Sequence, residues 1–175
     1  MTEELSYREE AAAEYDRAFS HVSNYFLPFL LRAARLGPGE NVLDVAAGTG
    51  IAAEAALAIV GASGSVVAAD ISPEMVAKAR QRLDRMPNAS VAVEDGQALS
   101  FPDETFDVVL CSLGLMFFPD PARGASEFRR VLSPDGRVAV SVTASPGRSY
   151  NGRINVVLAR YVPSLAVRRA CLSSR

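Results

Sequence analysis

The sequence predicts an α/β domain built on a doubly wound parallel sheet of about five strands, with helices on both faces. Short valine-rich runs alternate with helical stretches, each run ends in a turn signal, and glycine follows the first run at once in Asn41-Val42-Leu43-Asp44-Val45-Ala46-Ala47-Gly48-Thr49-Gly50. Such alternation requires parallel strands, because each helix returns the chain across the sheet in a right-handed crossover.

Taken in order, Glu3 to Phe19 and Val22 to Leu36 read as two helices, the second with Tyr25, Phe26, Phe29, Leu30 and Ala33 on one apolar face. Gly37-Pro38-Gly39 stops it. Val42 to Val45 is a strand, Ile51 to Val60 a helix, Val66 to Ala69 a strand, and Pro73 to Leu83 a helix capped by Ser72. Val91 to Val93 and Phe106 to Cys111 continue as strands, Ala122 to Val131 is a helix after Asp120-Pro121, and Arg137 to Thr143 is a fifth strand entered through the turn Pro134-Asp135-Gly136. Ile154 to Tyr161 and Leu165 to Leu172 read as short helices. The whole chain is expected to be one domain, with N-terminal helices over 1–36, a ligand-binding core over 41–143 and a partial lid or tail over 144–175.

Composition narrows the function. A chain of 175 residues that is 49% hydrophobic can bury a real core, and a net charge of -2 argues against nucleic acid as the partner. All eighteen basic residues but Lys78 are arginine, and they are scattered. Cys111 and Cys171 stand in unlike contexts, which makes neither a disulfide framework nor a metal site. The N-terminal stretch carries Glu3, Glu4, Glu9, Glu10 and Glu14 where a leader would be basic and then apolar, and no segment reaches membrane-spanning length, so a cytoplasmic location is expected.

The glycine turn carries the chemistry. Gly48 and Gly50 lack a Cβ, so a ligand can approach the backbone at the carboxyl end of the first strand, with the charge of Asp44 close by. Twenty residues past Gly50, Asp70 ends the second strand, where a carboxylate can accept two hydrogen bonds from a ribose diol or simply cap a turn. Ile71 follows it, suited to an adenine face or to plain burial. His21, the one histidine, suits a solvated or capping role better than catalysis.

Asp44-Val45-Ala46-Ala47-Gly48-Thr49-Gly50 resembles the first motif of the class I S-adenosylmethionine-dependent methyltransferases, an acid followed by G-x-G-x-G, with Ala46 in place of the first glycine. Val93-Glu94-Asp95-Gly96-Gln97 through Phe106-Asp107-Val108-Val109 is similar to the segment around that family's second motif. The resemblance implies a Rossmann-like sheet and S-adenosyl-L-methionine as cofactor. It further implies Asp95 as acceptor from the adenine amino group, and the backbone of Gly96 or Gln97 reading the ring edge. Asp107 reads as structural.

Cys111-Ser112-Leu113-Gly114-Leu115-Met116-Phe117-Phe118 and Glu127-Phe128-Arg129-Arg130-Val131 resemble the small-molecule branch that includes ubiquinone and menaquinone biosynthesis methyltransferases. There the loop after the fourth strand borders the methionine half of the cofactor, which singles out Ser112 and Leu113. Met116 and Phe117 are candidates for an apolar substrate mouth, with core packing the other role for at least one of Met116, Phe117 and Phe118. Tyr15, in a helix that folds over the cofactor in this family, is a further candidate contact.

The family continues into an antiparallel edge hairpin for which Arg148 to Arg175 has no room, so the fifth strand is expected to be an open edge, a place for homodimer pairing. Three functions remain in view: methyl transfer to an O, N or C nucleophile of a small molecule; a cofactor-binding remnant or partner subunit without turnover; and a nicotinamide-dependent oxidoreductase. The last is disfavoured because G-x-G-x-x-G would need glycine at Ala53 and a Tyr-x-x-x-Lys pair fails with Glu74 before Lys78. Methyl transfer from a sulfonium, itself a good leaving group, asks for no metal or covalent nucleophile, only alignment and exclusion of water.

Overall fold

Valine runs with one buried face after another make the centre of the molecule. The computed structural model describes residues 9–144 together with Arg148 and Val157. Five strands, β1 (Asn41–Val45), β2 (Ser65–Asp70), β3 (Ala89–Val93), β4 (Phe106–Ser112) and β5 (Leu132–Ser141), form one sheet in the order β3-β2-β1-β4-β5, every pair parallel. The helices are α1 (Glu9–Ala34), α2 (Ile51–Val60), α3 (Pro73–Leu83) and α4 (Pro121–Val131), with a 3₁₀ turn at Leu115–Phe117. The compact unit they build spans Met1–Val142, and residues from Thr143 onward belong to a second unit. The expected helices beyond Arg148, and the expected absence of an edge hairpin, lie outside the described residues.

Strand periodicity places Val42, Val66, Ala68, Val108, Leu110 and Ala139 on the face covered by α1 and α2, where they pack with Leu27, Leu30 and Ala34 of α1 and Ala52, Ala53, Ala56 and Val60 of α2. Alanines on α2 bring its backbone close to the sheet. The opposite face carries Leu43, Val45, Val109 and Cys111 under Phe128 and Val131 of α4. Helices therefore cover both faces, as expected, and the switch in strand order falls between β1 and β4, where their carboxyl ends leave a crevice.

Three expectations are corrected. The two N-terminal helices are one: α1 runs unbroken from Glu9 to Ala34, since Ser20-His21 offers neither glycine nor proline as a break, and the helix also absorbs Pro28 at the loss of one backbone hydrogen bond. Its buried stripe is Leu27, Leu30 and Ala34, while Tyr25 (67%), Phe26 (43%) and Phe29 (58%) are exposed. Two helical stripes of apolar residues competed, and the slimmer one fits against the α2 alanines. The three aromatic rings instead pack on one another, Tyr25 edge-on to Phe26 at 5.1 Å.

The third correction concerns β5, which starts at Leu132 and ends at Ser141, not at Arg137 and Thr143. Phe106 pairs with Leu132 and Val108 with Arg137, so Pro134-Asp135-Gly136 is an irregularity within the strand where a turn before it was expected. Arg137, delivered by this register, closes the end of α1: its Nε donates to the Ala34 carbonyl, and its Nη2 donates to the Arg35 carbonyl at 2.6 Å and to Glu40 at 2.8 Å. Asp107 is structural as expected, accepting from the Asn41 backbone N–H at 2.8 Å.

Candidate functional site

At the carboxyl end of β1 the backbone turns through three left-handed residues, Ala46 (φ 56°), Gly48 (φ 56°) and Gly50 (φ 82°). The turn is fastened from the neighbouring β-α unit: Ala47 N–H donates to the Ala69 carbonyl at 3.0 Å and Gly48 N–H to Asp70 Oδ2 at 2.8 Å. The two glycines have different roles. Among the described residues a Cβ on Gly48 would meet nothing within 4 Å, whereas one on Gly50 would press on Ala79 of α3 at 3.2 Å. Gly48 therefore faces open space, as a ligand cradle requires, and Gly50 serves close packing of the turn on α3.

Beside Gly48 lies a small cavity of about 30 Å³ walled by Ala46 to Thr49, Ile51 and Ala52, by Ser112 from β4, and by Ser23 and Leu27 from α1. Asp70 and Asp95 stand outside it, so it accounts for one end of a nucleoside-sized ligand only. Asp44 is completely buried in this region, and among the described residues neither of its carboxylate oxygens has a hydrogen-bond partner. Burial, reinforced by the charge of Asp70, raises its pKa to about 7, against a weak pull from the Ala53 backbone N–H, which falls short of hydrogen-bond geometry. A buried acid left unsatisfied beside an open glycine is the kind of feature a polar ligand completes.

Asp70 is held rigidly. Its Oδ1 accepts from Ser72 N–H at 2.9 Å and its Oδ2 from Gly48 N–H, so each oxygen keeps a lone pair for a ligand. Burial raises its pKa, opposed by the N–H groups of Ser72, Gly48 and Ile71. Ile71 is 66% exposed at the strand's end, an apolar side chain standing in solvent.

Asp95 lies in the loop after β3, where its Oδ1 accepts from Gln97 N–H at 2.9 Å. Gln97 in turn accepts through Oε1 from Asp120 N–H at 2.7 Å, and its carbonyl accepts from Arg123 Nε at 2.8 Å, which ties this loop to the start of α4. Gly96 is set by packing: a Cβ there would overlap the Phe118 ring and lie 2.9 Å from Val45 Cγ1. Phe118 is the aromatic that enters the core, meeting Phe128 edge-on at 6.1 Å, while Met116 (38%) and Phe117 (59%) remain exposed.

Leu113 follows Ser112 in a left-handed conformation (φ 56°), its N–H held by the Ser141 carbonyl at 2.9 Å. Cys111 behind it is buried, and burial followed by the charge of Asp44 raises its thiol to about 12, which makes it a packing residue and no nucleophile. His21 is exposed on α1. Tyr15 falls in α1, but its side chain lies outside the described residues. Sequence reasoning did not pick out Ser23, Leu27, Gly114 or Arg82, which donates from Nε to the Thr49 carbonyl at 2.8 Å. Arg82 alone left a trace, standing three residues after Ala79 on the face of α3 that meets the turn.

Residues 43–140 match the methyltransferase domain family, and the chain belongs to it. Among curated relatives, the demethylmenaquinone methyltransferase of Clavibacter sepedonicus is 37% identical over 142 residues, 79% of this chain and 57% of that one. The ubiquinone/menaquinone biosynthesis C-methyltransferase UbiE of Teredinibacter turnerae is 36% identical over 124 residues, 69% of this chain and 50% of that one. The chain thus spans about half the length of the curated relatives it matches. A SAM-dependent methyltransferase from Aquifex aeolicus shares the fold with a TM-score of 0.70 at 21% identity, covering 93% of this chain and 90% of that one.

Proposed function

We propose that this domain binds S-adenosylmethionine in the β1/β4 crevice and directs its methyl group to an O, N or C nucleophile of a small molecule. The observation that carries the reading is the open space at Gly48 beside the unsatisfied, buried Asp44. These residues fit the group: Gly48 leaves room for close backbone approach, Asp70 offers lone pairs to a ribose diol, and Asp95 with the Gly96-Gln97 backbone suits an adenine edge. Ser112 and Leu113 border the amino-acid end with Ala46. When bound, the cofactor supplies an electrophilic methyl carbon on a sulfonium.

The chain's own part is to hold and align. The fastened turn and the Asp70 bracket are set before any ligand arrives, which lowers the cost of ordering them on binding. Met116 and Phe117, exposed beyond Leu113-Gly114, are the apolar surface we assign to the acceptor, and the quinone-biosynthesis names of the relatives favour an aromatic ring such as a quinol. Met116 and Phe117 would also shed water from the reacting atoms. No base is assigned. Among the described residues no helix is long and apolar enough to cross a membrane. Among the described residues β5 pairs only with β4, and its other edge is where we place a second copy of the chain.

Calorimetric titration with S-adenosylhomocysteine, with NADH as the control ligand, tests the cofactor. Binding of the first and not the second is expected, and the reverse would overturn the cofactor assignment. Turnover against a panel of quinols, phenols and amines then separates an enzyme from a binding subunit.

A further inference from the structure

The Thr49–Gly50 peptide is held by a side chain from a different β-α unit. Arg82, at the end of α3, donates from Nε to the Thr49 carbonyl at 2.8 Å and from Nη1 to Glu54 of α2 at 3.0 Å. The same peptide donates through Gly50 N–H to the Ala47 carbonyl at 3.0 Å, closing the turn, and one helical turn before Arg82 the Ala79 side chain lies against Gly50. Glu54 sits in the first turn of α2. Arg82 therefore spans the turn and the helix it feeds, with its side chain 28% exposed.

From this geometry we infer that Arg82 is a positioning residue for the cofactor turn, fixing the orientation of the Thr49–Gly50 peptide and through it the space at Gly48. Resting on the reading of the turn as the S-adenosylmethionine cradle, the inference adds a part of the site that the glycine motif does not contain. The mechanism is conformational. Gly48 and Gly50 both occupy the left-handed region and both are glycines, so neither fixes the intervening peptide through a side chain of its own, although Gly50 packs on Ala79. Asp70 fastens it at the Gly48 N–H, and Arg82 fastens it one residue further on. Without the Arg82 bond the Thr49 carbonyl loses that donor, and the peptide, although Gly50 N–H still bonds the Ala47 carbonyl, rotates more often into conformers that fill the cradle; affinity falls by the fraction of time it does so. Neither charge of the ion pair needs to touch the ligand.

The test compares Arg82→Met, Arg82→Lys, Glu54→Gln and, as a surface control on the same helix, Arg80→Gln, measuring the dissociation constant for S-adenosylhomocysteine, thermal unfolding, and hydrogen exchange at the Gly48 and Gly50 amides. Arg82→Met is expected to weaken binding about tenfold and to speed exchange at Gly48 and Gly50 while the β1 amides stay protected. Lysine, which can donate to the Thr49 carbonyl, is expected to recover most of the affinity. Glu54→Gln, which keeps the Arg82–Thr49 bond, and Arg80→Gln are expected to stay within about twofold of wild type. Unchanged affinity in a folded Arg82→Met would overturn the inference, as would a loss that only tracks thermal unfolding with no change at the two amides. If wild type itself fails to bind, the cofactor reading fails with it; if wild type binds and only the Arg82 comparison is flat, the cofactor reading stands without this residue.

Discussion

Ala46 and Gly114 meet across the mouth of the crevice: Ala46 is left-handed, and a Cβ on Gly114 would overlap its methyl carbon. The family's first glycine is thus replaced by a residue strained in that conformation, and a glycine from the loop after β4 makes room for it. Left-handed backbone costs a non-glycine residue roughly 1–2 kcal/mol. Gly114→Ala should destabilise by about 1–3 kcal/mol through overpacking. Ala46→Gly should change stability little alone, relief of strain offsetting about 0.5–1 kcal/mol of unfolded-chain entropy, yet restore most of what Gly114→Ala loses. Urea unfolding of the two single variants and the double measures this coupling, and additive effects would show that the two residues do not share the space.

The sheet was legible because each of its strands is a valine-rich run bounded by a turn signal, and because Ser72 and Asp120 cap the helices they precede. Asp70 was legible because it ends an apolar run, whereas Asp95, two residues past β3, was singled out only through the resemblance of its segment to the family's second motif. What periodicity could not convey is which neighbour each residue meets. Gly50 and Gly96 look like ligand glycines in the motif, but Ala79 and Phe118 come to them from distant parts of the chain. The choice of buried stripe on α1 likewise depended on the α2 alanines, and the β5 irregularity on the register against β4.

Asp44 makes stability depend on pH. Its pKa is about 7 in the fold, chiefly through burial, and about 3.9 in an unfolded chain. Between those values the native state holds a proton that the unfolded state has released, so stability is highest below about pH 4 on this account and falls as pH rises to about 7. Asp70, also raised, adds a slope of the same sign. Asp44→Asn should flatten the profile and, at pH 8, stabilise the ligand-free protein by roughly 2–4 kcal/mol, while weakening S-adenosylhomocysteine. Denaturant midpoints from pH 5 to 8 check it, and parallel profiles for variant and wild type would remove Asp44 as the source.

The loop between β3 and β4 has no helix and is held by Arg130, which donates to the carbonyls of Phe101 and Leu99, both at 2.8 Å, and to Glu127 and Asp103. Arg130→Met should cost about 2–3 kcal/mol, since two main-chain carbonyls lose a charged donor. Asp103→Asn, at a side chain that is itself 73% exposed, should cost under about 0.5 kcal/mol. Thermal unfolding of both variants decides whether the arginine acts through the loop or through the surface pair.

Gly48→Ala separates fold from binding. The added methyl meets no atom of the described residues within 4 Å, so the structural cost they impose is the left-handed backbone, about 1–2 kcal/mol. Affinity for S-adenosylhomocysteine should fall well beyond tenfold in a folded protein, because the methyl takes the space reserved for the ligand. A crystal structure of the variant with the cofactor product seated as in wild type would contradict the cradle.

Asp70 has two duties, and two substitutions divide them. Its carboxylate accepts from the Gly48 and Ser72 backbone N–H groups, which sets the turn, and on our reading its remaining lone pairs take the ribose diol. Asp70→Asn keeps one carbonyl oxygen but places an amide donor against a backbone donor, so it should disturb the turn as well as the ligand. Asp70→Ala removes both interactions without adding a repulsive one. For Asp70→Ala we expect S-adenosylhomocysteine to bind more weakly by roughly 1.5–3 kcal/mol, the scale of charge-assisted hydrogen bonds, with stability changing less because burial already disfavours the charged acid. Asp70→Asn should match that loss of affinity, and both variants should show faster hydrogen exchange at Gly48, whose N–H loses its carboxylate acceptor. Calorimetry and exchange on both variants, each verified as folded, resolve the two duties: an unchanged dissociation constant in Asp70→Ala would take the ribose away from Asp70 and leave it only the turn.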